Sequence, residues 1–210
     1  MDTSLHFLSS PSVLQDTAHP LLVLLHGFGS DEKDLMGIRP YIDPKWGVVS
    51  IRAPFREGAG FRWYSLNPGP SQDNQEMEES IRALKGWFAQ IPQQFPQASL
   101  DQLVISGFSQ GAAMALMLGL FYSPYPPRGI GVLSGYLPEP PASLNLWRKI
   151  PVFWGHGMQD AVLPFQLAET GESQLVEHHL DVAFHSYPMG HAVIDEELGD
   201  FMQWLNHLTA

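Results

Sequence analysis

The sequence predicts an α/β fold with a mostly parallel central sheet flanked by helices on both faces. Short apolar runs recur along the chain as near-continuous stretches rather than alternating patterns, as expected of strands buried on both sides. Segments of helical periodicity lie between several of these runs, the order that builds a parallel sheet. Hydrophobic residues make up 44% of 210 residues and charged residues 16%, enough to fill one sizeable core. A single domain over 1–210 is expected.

The stretch to about Pro20 has weak patterning and fits one or two antiparallel edge strands. Leu21-Leu22-Val23-Leu24-Leu25 and Gly47-Val48-Val49-Ser50-Ile51 read as the first core strands. Met77, Ile81, Leu84, Phe88 and Ile91 then step by four and three, which predicts a helix, and Asp73 with Glu76 resembles a capping box at its start. Gln102-Leu103-Val104-Ile105-Ser106 is the next strand. The apolar stretch 112–121 is a helix, apolar all round, so Met114 and Met117 belong to the core. Ile130-Gly131-Val132-Leu133, Pro151-Val152-Phe153-Trp154 and Val182-Ala183-Phe184 continue the sheet. Ile194, Leu198, Phe201, Leu205 and Leu208 mark a final helix, with Asp195, Glu196 and Glu197 set against the positive end of its dipole. The Pro-rich segments 123–128 and 138–142 read as loops, and no internal repeat is visible.

A net charge of -11 would repel phosphate backbones, so nucleic acid is not an expected partner. The absence of cysteine removes disulfides, thiolate metal sites and Cys nucleophiles, leaving oxygen or nitrogen to act. The stretch 112–121 is too short for a bilayer that needs roughly 20 apolar residues, so integral membrane association is not expected. Met1-Asp2-Thr3-Ser4-Leu5 has no basic region followed by an apolar run, and a cytoplasmic location is the expectation.

Gly107-Phe108-Ser109-Gln110-Gly111 matches the G-x-S-x-G nucleophile elbow, and it lies between a strand and a helix as that motif requires. The turn is too sharp for bulk two positions from the serine, and the following helix directs its N-terminus at the site. The bare pattern would otherwise be a flexible turn. A serine hydroxyl needs a base and a group to hold that base. In the order serine, acid, histidine, the loop after 152–154 supplies Asp160, and Tyr187-Pro188-Met189-Gly190-His191 delivers His191 just before the final helix.

The other histidines read differently. His178 and His179 fit a solvated helix end, His185 a strand, and His6, His19 and His207 polar or terminal segments. His26 and His156 each open an H-G turn at a strand end, near the site but as loop-shaping partners. No H-E-x-x-H or comparable spacing appears, so a metal site is not expected. For the oxyanion, the backbone N–H of Gln110 and that of Phe28 in His26-Gly27-Phe28-Gly29 are the candidates, each worth about 3 kcal/mol in a transition state. That segment could equally be a Gly turn opening a helix near Ser30.

Together, His26-Gly27-Phe28-Gly29, Arg52-Ala53-Pro54, Gly107-Phe108-Ser109-Gln110-Gly111-Ala112, His156-Gly157-Met158-Gln159-Asp160 and Pro188-Met189-Gly190-His191 resemble the phospholipase/carboxylesterase family, which includes the acyl-protein thioesterases. The resemblance runs from about Pro20 to the C-terminus. It implies an α/β-hydrolase fold, a Ser109, Asp160, His191 triad, Phe28 and Gln110 backbone donors, no cofactor, and hydrolysis of carboxylic esters or thioesters. Arg62-Trp63-Tyr64-Ser65-Leu66 matches the family's Trp-containing loop only loosely, and 136–149 is too short for a helical cap domain. Phe28, Phe61, Trp63, Tyr64, Leu66 and Leu163 either line an apolar acyl groove or are buried under loops.

The expected activity is that of a serine carboxylesterase on small-molecule esters of small to medium acyl chains. Alternatives are acyl-protein thioesterase or lysophospholipase activity on long chains, acyl transfer to an acceptor, and a non-catalytic binding protein on the same scaffold. The chain is expected to be a monomer or a homodimer.

Overall fold

A computed structural model describes residues 5–14, 16–66, 75–140 and 147–209. Its centre is a seven-stranded sheet. The strands are β1 (Phe7–Ser9), β2 (His19–Leu25), β3 (Gly47–Ile51), β6 (Ala98–Phe108), β7 (Gly129–Leu133), β8 (Val152–Gly157) and β9 (Val182–Tyr187), in the spatial order β1-β3-β2-β6-β7-β8-β9. All neighbours pair in parallel except β1, an antiparallel edge on β3, as the weak N-terminal pattern led one to expect.

Both faces of the sheet are covered, and β2 shows why the apolar runs do not alternate. Leu21, Val23 and Leu25 join one core with Val49, Ile51, Leu103 and Ile105, beneath α1 (Gln75–Ala89), α3 (Gln110–Met117) and α4 (Phe165–Glu177). Leu22 and Leu24 point the other way, to Val48, Val104, Leu133 and Phe153, under the 3-10 turn Leu35–Tyr41 and α5 (Asp195–Leu208). Each such side chain removed from water contributes about 1.5–3 kcal/mol, which selects this two-sided burial over a half-exposed sheet.

Several expectations shift in detail. Ile91 continues the α1 rhythm but sits in a separate short helix, α2 (Ile91–Gln94), whose Pro92 lacks the amide a continuing helix needs. Asp73, the proposed cap of α1, lies outside the described residues; Glu76 bonds Arg62 at 2.8 and 3.2 Å. The helix after Ser109 ends in a π-turn over Leu118–Tyr122, where the Ser123 amide reaches back to the Leu118 carbonyl at 2.7 Å. Met114 and Met117 are buried, and every residue of α3 is too. The segment after β3 holds a small hairpin, β4 (Phe55–Glu57) with β5 (Gly60–Arg62), that the sequence pattern does not predict. No helix among the described residues is long and apolar enough to cross a membrane.

Candidate active site

The strands β2, β6, β8 and β9 deliver their C-terminal ends to one edge of the sheet, where ligands collect in open parallel sheets. β6 runs straight into Ser109, which joins it to α3 with φ 55° and ψ -118°, a left-handed backbone that only tight surroundings impose on a serine. Those surroundings are explicit. A Cβ on Gly107 would strike the Gly111 backbone, and one on Gly111 would strike the Leu25 carbonyl oxygen of β2. Gly111→Ala is therefore expected to cost about 1–3 kcal/mol or more, with a melting temperature lower by about 2–4 °C per kcal/mol and loss of the esterase activity that the sequence leads one to expect. Wild-type melting and turnover in that variant would show the close approach to be unimportant.

Three side chains from separate loops meet at this turn. The Ser109 hydroxyl donates to His191 Nε2 at 2.9 Å, and His191 Nδ1–H donates to Asp160 Oδ2 at 2.7 Å. The other carboxylate oxygen accepts the Val162 and Leu163 amides, both at 2.8 Å. Burial would raise the Asp160 pKa, but the bonds from His191 and those two amides outweigh it and hold the carboxyl below its ordinary value. Asp160 is thus an anion fixed at three points, aimed at the ring nitrogen distal to the serine. The Phe108 ring lies 4.8 Å from the His191 ring at 43° and sets its tilt.

The two loops that carry acid and histidine are stitched together. The Met158 amide donates to the Tyr187 carbonyl at 2.8 Å and the Gln159 amide to the Met189 carbonyl at 3.0 Å. His156, buried beneath them, donates through Nε2 to the Leu163 carbonyl at 2.9 Å and lies 3.4 Å from Asp160 Oδ2. Desolvation lowers its pKa, so it stays neutral beside the carboxylate. His26 plays the matching part on the other side. The Ala53 amide donates to its Nε2 at 3.0 Å, which leaves Nδ1–H to donate to the Gly27 carbonyl at 2.7 Å. Burial lowers its pKa too.

Phe28 and Gln110 both line the cavity, and among the described residues neither backbone amide donates to another protein group. The 26–30 loop is not the start of a helix near Ser30 but a turn held from the side by β5. The Gly29 amide donates to the Phe61 carbonyl and the Phe61 amide to the Ser30 carbonyl, each at 2.8 Å. Glu32 grips the Arg52 guanidinium with both oxygens, which lowers the Glu32 pKa and ties the loop to the end of β3.

Above Ser109 lies a cavity of about 400 Å³, lined by apolar groups that include Phe28, Leu66, Phe108, Val162 and Leu163, with Tyr136, Ser30 and Asp34 as its polar margin. Leu66 and Leu163 are thus where the groove reading puts them. Phe61, Trp63 and Tyr64 are not, and the reading of them as substrate-binding residues needs correction. Trp63 is 0% exposed, with its indole N–H donating to the His26 carbonyl at 2.9 Å. Phe61 is flanked by the Arg52 and Arg56 guanidiniums at 4.6 and 4.8 Å. Tyr64 is buried, and its hydroxyl meets that of Tyr136 at 2.6 Å. These rings form the wall behind the cavity because the hairpin turns them inward, a fold that their apolar character alone does not distinguish from a groove.

A feature the sequence reading misses is the Gln110 side chain. It is buried, accepts the Trp63 amide at 2.8 Å and donates to the Tyr64 carbonyl at 2.7 Å, clamping the wall to the elbow. Tyr136 was also missed. Its position three residues past β7, the strand beside β6, is the available signal, since loops at that sheet edge share the site.

The family model described as phospholipase/carboxylesterase matches residues 12–209. The chain belongs to that family. This phospholipase/carboxylesterase member is 30% identical over 162 residues to a probable carboxylesterase of Oryza sativa subsp. japonica, a stretch covering 70% of this chain and 59%, less than two thirds, of the relative. It is 26% identical over 213 residues to acyl-protein thioesterase 1 of Kluyveromyces lactis, covering 90% and 92% of the two chains. The crystal structure of esterase PE8 superposes with a TM-score of 0.86 at 28% identity, over 98% of this chain and 99% of that one. The architecture is the α/β-hydrolase fold, and among the described residues no helices form a cap over the cavity.

Proposed function

We propose that this family member is a serine carboxylesterase that hydrolyses small-molecule carboxylic esters and thioesters. The reading is carried by the unbroken Ser109, His191, Asp160 hydrogen-bond chain at the base of an apolar cavity. His191 takes the Ser109 proton as the oxygen attacks the ester carbonyl, forming a tetrahedral intermediate whose oxyanion accepts the Phe28 and Gln110 amides. The intermediate collapses as His191 protonates the leaving alcohol or thiol. Asp160 stabilises the imidazolium throughout and is not itself protonated. Water, deprotonated by His191, then attacks the acyl-enzyme and returns Ser109 with the carboxylic acid.

The cavity of about 400 Å³ is of the size that takes small-molecule ligands, and small to medium acyl chains are the proposed substrates. Among the described residues its margin carries Asp34 and no lysine or arginine, which favours neutral esters over anionic lipid headgroups. The proposed setting is a single cytoplasmic domain, acting as a monomer or homodimer. A fluorophosphonate probe is expected to label Ser109, and turnover across a series of p-nitrophenyl and thioester substrates is expected to peak at short or medium chains. Folded protein that neither labels nor turns over any ester would favour the binding-protein alternative. A peak at palmitoyl chains would favour a long-chain thioesterase.

A further inference from the structure

Beneath the loop that carries His191 lies a carboxyl group that the reaction does not use. Glu197 is 0% exposed, and among the described residues neither of its oxygens has a hydrogen-bond partner of good geometry, the Ile194 amide being the one donor directed at the carboxyl. It stands in the first turn of α5 and lies against the backbone of β8, where a Cβ on Gly155 would strike its Oε1. Only a glycine at 155 admits it. Buried carboxyls without partners are unfavourable, so one that persists directly under a reactive loop calls for a reason.

The geometry of the loop supplies one. The chain from β9 to α5 is fastened at its start by the Met158 and Gln159 amides, and in its middle by the Ser134 hydroxyl, which donates to the Ala192 carbonyl at 3.2 Å. Among the described residues its far end has no such bond: Val193 packs on the core and Ile194 leads into α5. The N-cap residue there is Ile194, which has no side chain able to cap, and the Ile194 amide is the polar group that favours the Glu197 carboxylate. We propose that Glu197 is a positioning residue for His191: its side chain seats the first turn of α5 on Gly155 and so fixes the far end of the loop on which His191 reaches Ser109. This rests on the roles given above to Ser109 and His191.

Among the described residues Glu197 has no counter-charge. From β9, His185, the register partner of Gly155, and Tyr187 face the same helix, but both engage Asp200, at 3.4 and 2.8 Å. His156 follows Gly155 in β8 and packs its ring near Phe165 at the start of α4, on the opposite face of the sheet. The turn Leu35–Tyr41 contributes Arg39, whose guanidinium donates to the Ile42 carbonyl. Within α5 the near groups are Glu196 and Asp200, both acids. Desolvation pushes the Glu197 pKa from 4.5 up to about 8. The folded chain therefore holds a proton there that the unfolded chain has released, and this stabilisation, full below about pH 4.5, is lost as pH rises through about 8.

The test compares kcat and KM from about pH 6 to about pH 10 for wild type, E197Q and E197A, with near-ultraviolet circular dichroism and fluorophosphonate labelling of each. Wild type is expected to lose kcat reversibly above about pH 8, E197Q to match it at neutral pH without that loss, and E197A to lose about 10- to 100-fold in kcat with KM little changed. Coincident alkaline limbs for wild type and E197Q, or wild-type kcat in E197A, would overturn the role of Glu197 while labelled wild type leaves the serine mechanism standing. An unlabelled, inactive wild type would overturn that mechanism and this role with it. If E197A does not fold, the E197Q profile decides.

Discussion

Ser109→Ala is expected to lower turnover of a simple aryl ester at least about 10⁴-fold while leaving the melting temperature near that of wild type. The first half follows from the serine hydroxyl being the group that His191 Nε2 accepts from at 2.9 Å; without the oxygen no acyl-enzyme can form. The second follows from the backbone. The left-handed φ at 109 is as costly for alanine as for serine, and the Ser109 amide keeps its bond to the Leu133 carbonyl at 2.9 Å. Residual activity would come from the two amides and His191 acting on water. Steady-state rates on clean protein, with labelling as a second readout, would decide; a rate within tenfold of wild type would remove the serine from the mechanism.

Asp160→Asn is expected to cost about 10⁴-fold in kcat, with KM changed far less. The asparagine is the same size and can still accept the Val162 and Leu163 amides through its carbonyl oxygen. Its NH2 group then faces His191 Nδ1 and donates where the carboxylate accepted. His191 must rotate or take the tautomer with the proton on Nε2, and that tautomer cannot accept from Ser109. A pH dependence separates this from simple unfolding. The Asp160 carboxyl titrates below its ordinary value in the fold, so the stability its charge contributes is present above about pH 4 and is lost as pH falls below that. At neutral pH the variant lacks that contribution but keeps the two amide bonds, so it should be less stable than wild type, still folded, and slow. A variant with wild-type kcat would show that His191 does not need an anion behind it.

The parallel sheet was legible because β2, β3, β6, β7 and β8 are buried on both faces and so leave near-continuous apolar runs. The Ser109 elbow was legible because its two glycines are fixed motif positions, Gly107 pressed on the Gly111 backbone within the turn and Gly111 on the Leu25 and His26 carbonyls at the end of the adjacent strand β2. Asp160 and His191 could be named because each follows a strand whose end must reach the same edge of the sheet. The β4–β5 hairpin was not legible. Three-residue strands carry too little pattern, and their pairing is fixed by contacts with the 26–30 loop, about 30 residues away in sequence.

What the sequence by itself determined is the set of groups available: an oxygen nucleophile in a chain without thiols, one histidine and one acid at strand ends in the right order, and a helix behind the serine. What only the tertiary structure decided is which apolar rings meet the cavity and which hold it up. Phe28, Leu66 and Leu163 reach the cavity while Phe61, Trp63 and Tyr64 pack behind it. The same long-range packing leaves Glu197 sealed against Gly155 where the first-turn acids of α5 would otherwise face water. The physical reason is common to both. Burial depends on what lies across the fold, and neither hydrophobicity nor a helix-dipole preference specifies which side of a residue that neighbour will take.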